Sequence, residues 1–177
     1  PKDAEVRYRA ILEEYDTLGE ARLGLARSLN QQDRRVEAEQ VLRTAIELQP
    51  QSTVLRSNLA NNLAAQGRHD EGLALIMTVL EQVPEDDTAR AGVLRMLTDL
   101  ERFDQAITSA RRWLEEDSDH HGLQAHLGVA MARSGKLSEA VPYLEASLMD
   151  AVPRQLVHRM LAQDAMSRDE IDSAIRH

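Results

Sequence analysis

His120, His121 and His126 stand in one short stretch with Asp117 and Asp119. Imidazole with carboxylate is a donor set for a divalent metal or a general base. A helical metal site needs donors on one face, as at i and i+4, each oriented by a further hydrogen bond. Here two histidines are adjacent and the third lies further along, so the spacing predicts a solvated turn. The carboxylate pairs Glu13/Glu14, Asp86/Asp87 and Glu115/Glu116 are also adjacent. Neighbours in a helix do not share a face, so they form no acid/base pair. The nearest glycine-rich stretch, "GEARLG", lacks both the spacing and the strand of a phosphate loop. No G-x-S-x-G or H-E-x-x-H occurs, and cysteine is absent. The residues therefore predict no catalysis, no cofactor and no metal.

Non-covalent recognition is left. The net charge is −9 and the basic residues are dispersed, which argues against nucleic acid. No apolar run has the length of a membrane span, so no membrane insertion is expected. In 177 residues, 42% hydrophobic and 29% charged, the balance is that of a globular chain. Aromatics at 3%, with 8 glycines and 5 prolines, argue against an all-β fold. The first residue is Pro1, which suggests a piece of something longer. The composition is rich in Ala, Leu, Arg and Gln, has a bacterial cast, and fits cytoplasm or periplasm equally.

The elements that carry these residues repeat with a period of 34. Pro50 and Pro84 both follow helical tails. Ala4, Ala38, Gly72, Ala106, Ala140 and Ala174 form one series. Leu25, Leu59, Val93, Leu127 and Leu161 form a second, and Leu29, Leu63, Leu97, Met131 and Ala165 a third. Gly67 and Gly135 share a turn position. Each unit reads as two amphipathic helices joined by a polar turn. Asp70 and Ser138 suit the N-caps of the second helices. Pro50 and Pro84 end theirs, and Pro142 is placed in a first turn. Full units are expected at 19–52, 53–86, 87–120 and 121–154. Residues 1–18 fit the second helix of an earlier unit, and 155–177 a partial one.

This pattern resembles the tetratricopeptide repeat family along the whole chain, on residues such as Leu59, Ala60, Leu63, Gly67, Gly72, Ile76 and Pro84. The resemblance implies an all-α fold, a right-handed α-solenoid of antiparallel helix hairpins. The third unit departs most. Ala110 precedes Trp113 where the family has bulky then small, and Leu94 replaces a small residue. A swap that keeps core volume accounts for this, with Trp113 in the core.

In the family, extended peptides lie along the first helices. Carried over by register, that surface here holds Arg27, Asn58, Asn61, Arg95, His126, Arg133 and Arg159. Its arginines outnumber Glu20 and Asp99 in an acidic chain, which favours an acidic partner segment. Leu23 and Gly92 stand where the family's chaperone-binding carboxylate clamp needs polar donors, which puts chaperone tails in doubt. The resemblance implies a non-catalytic scaffold or adaptor for a protein or peptide partner. Bacterial relatives serve in pilus, secretion and export assemblies. The alternative is a regulatory or substrate-docking part of a larger enzyme, such as a glycosyltransferase, sulfotransferase or hydroxylase. The opening helix is expected to expose apolar surface, which allows self-association through the ends.

Overall fold

The computed structural model describes residues 2–15, 17–146, 159, 162 and 166. Among them are nine α-helices: α1 (Lys2–Glu14), α2 (Gly19–Gln31), α3 (Arg35–Leu48), α4 (Thr53–Ala65), α5 (His69–Gln82), α6 (Asp87–Asp99), α7 (Phe103–Glu116), α8 (His121–Arg133) and α9 (Leu137–Ala146). First helices begin at Gly19, Thr53, Asp87 and His121, and second helices at Arg35, His69, Phe103 and Leu137. The chain divides into two compact units, Pro1–Met96 and Leu97–His177. In the first, α1 to α5 pack each against the next. In the second, α7 packs on α8 and α8 on α9.

The turn inside each hairpin has one recurring device. Asp33, Gly67, Glu101 and Gly135, spaced by the period, take positive φ of 61°, 81°, 58° and 86°. The left-handed residue reverses the chain directly after the first helix. Glycine adopts it freely, whereas Asp33 and Glu101 must accept a steric cost. The N-cap positions of the second helices are then Arg34, Arg68 and Arg102, none of which makes a side-chain cap bond. Asp70 and Ser138 lie inside the first turn, so they are not the caps expected of them. Charge fills that role instead. Arg34 donates two hydrogen bonds to Glu37 at 2.7 and 2.6 Å, and Arg68 two to Glu71, both at 2.6 Å. Both glutamates lie near the helix start, where a carboxylate is favoured.

The first helices do have side-chain caps, at a register the sequence reading passed over. Ser52 Oγ accepts from the Leu55 amide at 3.4 Å, Asp86 Oδ1 from Ala89 at 2.8 Å, and His120 Nδ1 from Leu123 at 3.1 Å. Helices α3 and α5 end at Leu48 and Gln82, just before the residues that precede Pro50 and Pro84. Pro142 is a correction. It lies inside α9, beyond the first turn, where another residue's amide would donate to the Ser138 carbonyl.

The core is built from the periodic rows. Leu25, Leu59, Val93 and Leu127 are buried, as are Leu29, Leu63, Leu97 and Met131. The row of small residues sets how closely the paired helices approach. A Cβ on Gly72 would stand 2.7 Å from the Ala60 carbonyl oxygen of α4. Ala38, Ala106 and Ala140 fill the same register and are fully buried. In the third unit Leu94, Ala110 and Trp113 all lie in the core, so the tryptophan is a packing residue.

Candidate protein-binding site

The first-helix surface of the first unit carries Arg27 on α2, Asn58 and Asn61 on α4, and Arg95 on α6. Arg27 is exposed and the other three are half-buried. Arg95 donates from Nη2 to Asn61 Oδ1 at 2.6 Å, joining adjacent repeats across one full period. The Asn58 amide is turned back on its own helix, donating to the Val54 carbonyl at 2.8 Å. That uses one of its two N–H donors and leaves its oxygen and the second N–H available. Arg27 borders a cleft of about 460 Å³ lined also by Tyr8, Leu23 and Gln31.

In the second unit, Arg133 on α8 donates to Asp99 Oδ1 at 3.0 Å, again one period away. Its guanidinium carbon also stands 5.8 Å from the Phe103 ring centre, a cation–π distance. Asp99 thus offsets one of the charges that the sequence assigned to a partner. Arg159 is helical and exposed.

His126 is half-buried on α8, and the register gives a steric reason for it. A Cβ on Gly24 would collide with the Tyr8 ring, and one on Gly92 with Ile76. By register Ala110 stands where Tyr8 and Ile76 do, and it is smaller than either. Among the described residues, no three His, Cys, Asp or Glu side chains are placed to hold a metal ion. No described helix is long and apolar enough to cross a membrane.

Sequence reading missed a repeated ion cluster on the second helices. Glu5 accepts from Gln32 Nε2 at 2.8 Å and from Arg34 Nη1 at 2.7 Å, and pairs with Arg9 at 2.9 Å. One period later Glu39 accepts from Gln66 at 2.9 Å, and from Arg68 at 2.9 and 2.8 Å, and pairs with Arg43 at 2.8 Å. Hydrogen bonds from Gln32 and Arg34 lower the Glu5 pKa to about 2, against some desolvation. For Glu39, desolvation pushes the pKa up, but the bonds from Gln66, Arg43 and Arg68 outweigh it and hold the carboxyl at about 2. Each cluster ties a second helix to the start of the next one. The signal was legible: Glu, Gln, Arg and Glu recur at matching places in two units. A period later Leu73 and Leu100 stand where Glu39 and Gln66 did.

Two edge clefts were missed as well. One is lined by Arg9, Leu12, Glu13, Arg22, Leu25 and Val41. The other is lined by Arg111, Leu114, Glu115, Gln124, Leu127, Tyr143 and Ser118, in the same register three repeats on. Each lies between two successive second helices and the first helix between them.

Two family models, both described as tetratricopeptide repeat, match residues 31–97 and 95–155. The chain belongs to the tetratricopeptide repeat family. Solved structures agree on the fold. PilW, a widely conserved type IV pilus biogenesis factor, is 16% identical with a TM-score of 0.76, covering 99% of this chain and 84% of that one. TTC0263, a thermophilic tetratricopeptide repeat protein of Thermus thermophilus, is 18% identical with a TM-score of 0.73, covering 90% and 87%. YrrB, a tetratricopeptide repeat protein with an unusual peptide-binding site, is 18% identical with a TM-score of 0.65, covering 89% and 81%. No curated protein matches the sequence. The fold is thus the all-α tetratricopeptide type, and domains of this family generally serve as protein-interaction scaffolds.

Proposed function

We propose that this tetratricopeptide repeat chain is a non-catalytic scaffold that holds an extended, acidic segment of a partner protein along its first helices. The observation that carries this reading is the row Arg27, Asn61 and Arg95, set one period apart, with Asn61 holding the Arg95 guanidinium. A fixed guanidinium loses less entropy on binding a carboxylate than a free one. Asn58 keeps its oxygen and one N–H, which suit the backbone of an extended chain. Arg133 contributes less, because Asp99 already pairs with it. The structural likeness to PilW, a pilus biogenesis factor, supports a place in a larger bacterial assembly.

The test is a fluorescein-labelled acidic peptide titrated against the chain. Replacing Arg27, Asn61 and Arg95 together by Ala should weaken binding at least tenfold. The melting temperature should hardly change, because the three side chains are not core residues. Binding to the parent chain should also weaken with added salt. Affinity that survives the triple substitution would assign the partner to another surface.

A further inference from the structure

One buried polar side chain interrupts the apolar packing of the first unit. Asn62 of α4 is 2% exposed. Gln66 Nε2 donates to Asn62 Oδ1 at 2.8 Å, and the same nitrogen donates to Glu39 Oε2 at 2.9 Å. Asn62 Nδ2 donates to the Arg35 carbonyl at 3.0 Å and to Asn30 Oδ1 at 2.6 Å. The direction of this chain of bonds is fixed at its source. An ionised carboxylate can only accept, so Glu39 turns the Gln66 nitrogen towards itself. That nitrogen draws the Asn62 oxygen, which sends the Asn62 nitrogen to Arg35 and Asn30. The Arg35 carbonyl, which also can only accept, agrees. Asn30 therefore meets Asn62 with its oxygen, and its own nitrogen is left over. Among the described residues that nitrogen donates to nothing. Asn30 is half-buried on α2, one turn beyond Arg27.

The fold does not require this chain of bonds. One period on, Ala64, Met96, Leu100 and Leu73 stand at the places of Asn30, Asn62, Gln66 and Glu39. Ala64 and Met96 are buried, so apolar groups alone fill that register. A buried amide carries a desolvation cost that Met96 does not. One period earlier Glu5 and Gln32 repeat the ion cluster, but Ser28 stands in place of Asn62. The step from the cluster to a first-helix asparagine thus belongs to Asn62, next in sequence to Asn61 of the proposed groove. A position that departs from the rule its own repeats follow, at a cost, is where function is expected.

We infer that Asn30 is a contact of the partner segment, donating from Nδ2 to a main-chain carbonyl oxygen, and that Asn62 is the residue that positions it. The inference rests on the proposed groove and deepens it. The arginines of the row supply charge for carboxylates, whereas a neutral amide donor matches a neutral carbonyl. An extended segment brings carbonyls that its own backbone does not pair, and such a donor satisfies one. The orientation is set before binding, so Asn30 loses little freedom when the carbonyl arrives. An amide free to turn would offer its oxygen as readily as its nitrogen.

The probe is a fluorescein-labelled peptide of alternating glutamate and serine, titrated against the 177-residue chain and its variants. Asn30→Ala should weaken binding about fivefold, the loss of one hydrogen bond. Asn62→Met should weaken it by a similar factor. The two together should lose no more than Asn30→Ala alone, because Asn62 acts through Asn30. The doubly substituted chain should melt no lower than the parent, since it repeats the register of Ala64 and Met96. Losses that multiply in the double variant, or a double variant that binds as the parent does, overturn the inference and leave the groove standing. A double variant that melts lower and binds as before would make the pair a staple between α2 and α4. The Arg27, Asn61 and Arg95 triple variant judges the groove separately. If the parent does not bind the probe, or the triple variant binds it as tightly as the parent, the groove reading fails and this inference falls with it.

Discussion

Single side chains in this protein are placed by two separate rules, and the difference decides what each is worth. The left-handed turn positions show the first rule, backbone conformation. Gly67 and Gly135 meet it without strain, and Glu101 meets it at φ 58°. Replacing Glu101 by Gly should therefore raise stability, by about 0.5–1 kcal/mol after glycine's own entropy cost. Urea denaturation of the two chains checks this, and an unchanged midpoint would show the turn to be unstrained. The second rule is pairing across one period. It places Arg95 on Asn61 and Arg133 on Asp99. The sequence showed that these residues share a surface. It did not show which of them satisfy each other, because that depends on rotamers and on the spacing of adjacent helices. Asn58 is the sharpest instance, since one of its two N–H donors is spent on its own helix.

Helices here are interchangeable in register but not in environment. The pairing of a first and second helix rests on a small residue at the crossing, and Ala38, in one cluster with Ala26 of α2, has no exposed surface. Ala38→Leu should overfill that crossing and cost about 1–3 kcal/mol, seen as a lower urea midpoint. If it is tolerated, the crossing is wider than its packing implies. The same register also explains the irregular third unit. Trp113 and Leu94 are bulky where their counterparts are small, and Ala110 is small where Leu42 and Ile76 are bulky. The rows were legible as rows because each position packs against the same neighbours. Caps were less legible. Asp70 and Ser138 looked like N-caps from residue type alone, but the turn geometry starts the helix earlier and gives the work to an arginine–glutamate pair.

Within each unit, stability comes from successive helices burying each other's faces, as in repeat arrays generally. The paired ion clusters add a pH dependence to this in the first unit. Glu5 and Glu39 have folded pKa values near 2, against an ordinary 4.5. A carboxyl with a depressed folded pKa contributes stability above its unfolded pKa, and that contribution is lost as pH falls through the folded one. Stability should therefore decline between about pH 5 and pH 2. Glu39→Gln should be less stable at pH 7, and its stability should fall less steeply over that range. Thermal melts at stepped pH check this; parallel curves for the two chains would show that Glu39 is not held as described.

Periodicity by itself determined the fold type, the buried rows and the surface on which arginines and asparagines collect, because a strict period forces equivalent residues into equivalent contacts. Geometry decided the rest. Which polar groups satisfy one another, and which remain available to a ligand, depend on the distances between neighbouring helices. A one-dimensional pattern contains those distances only as an average over its repeats.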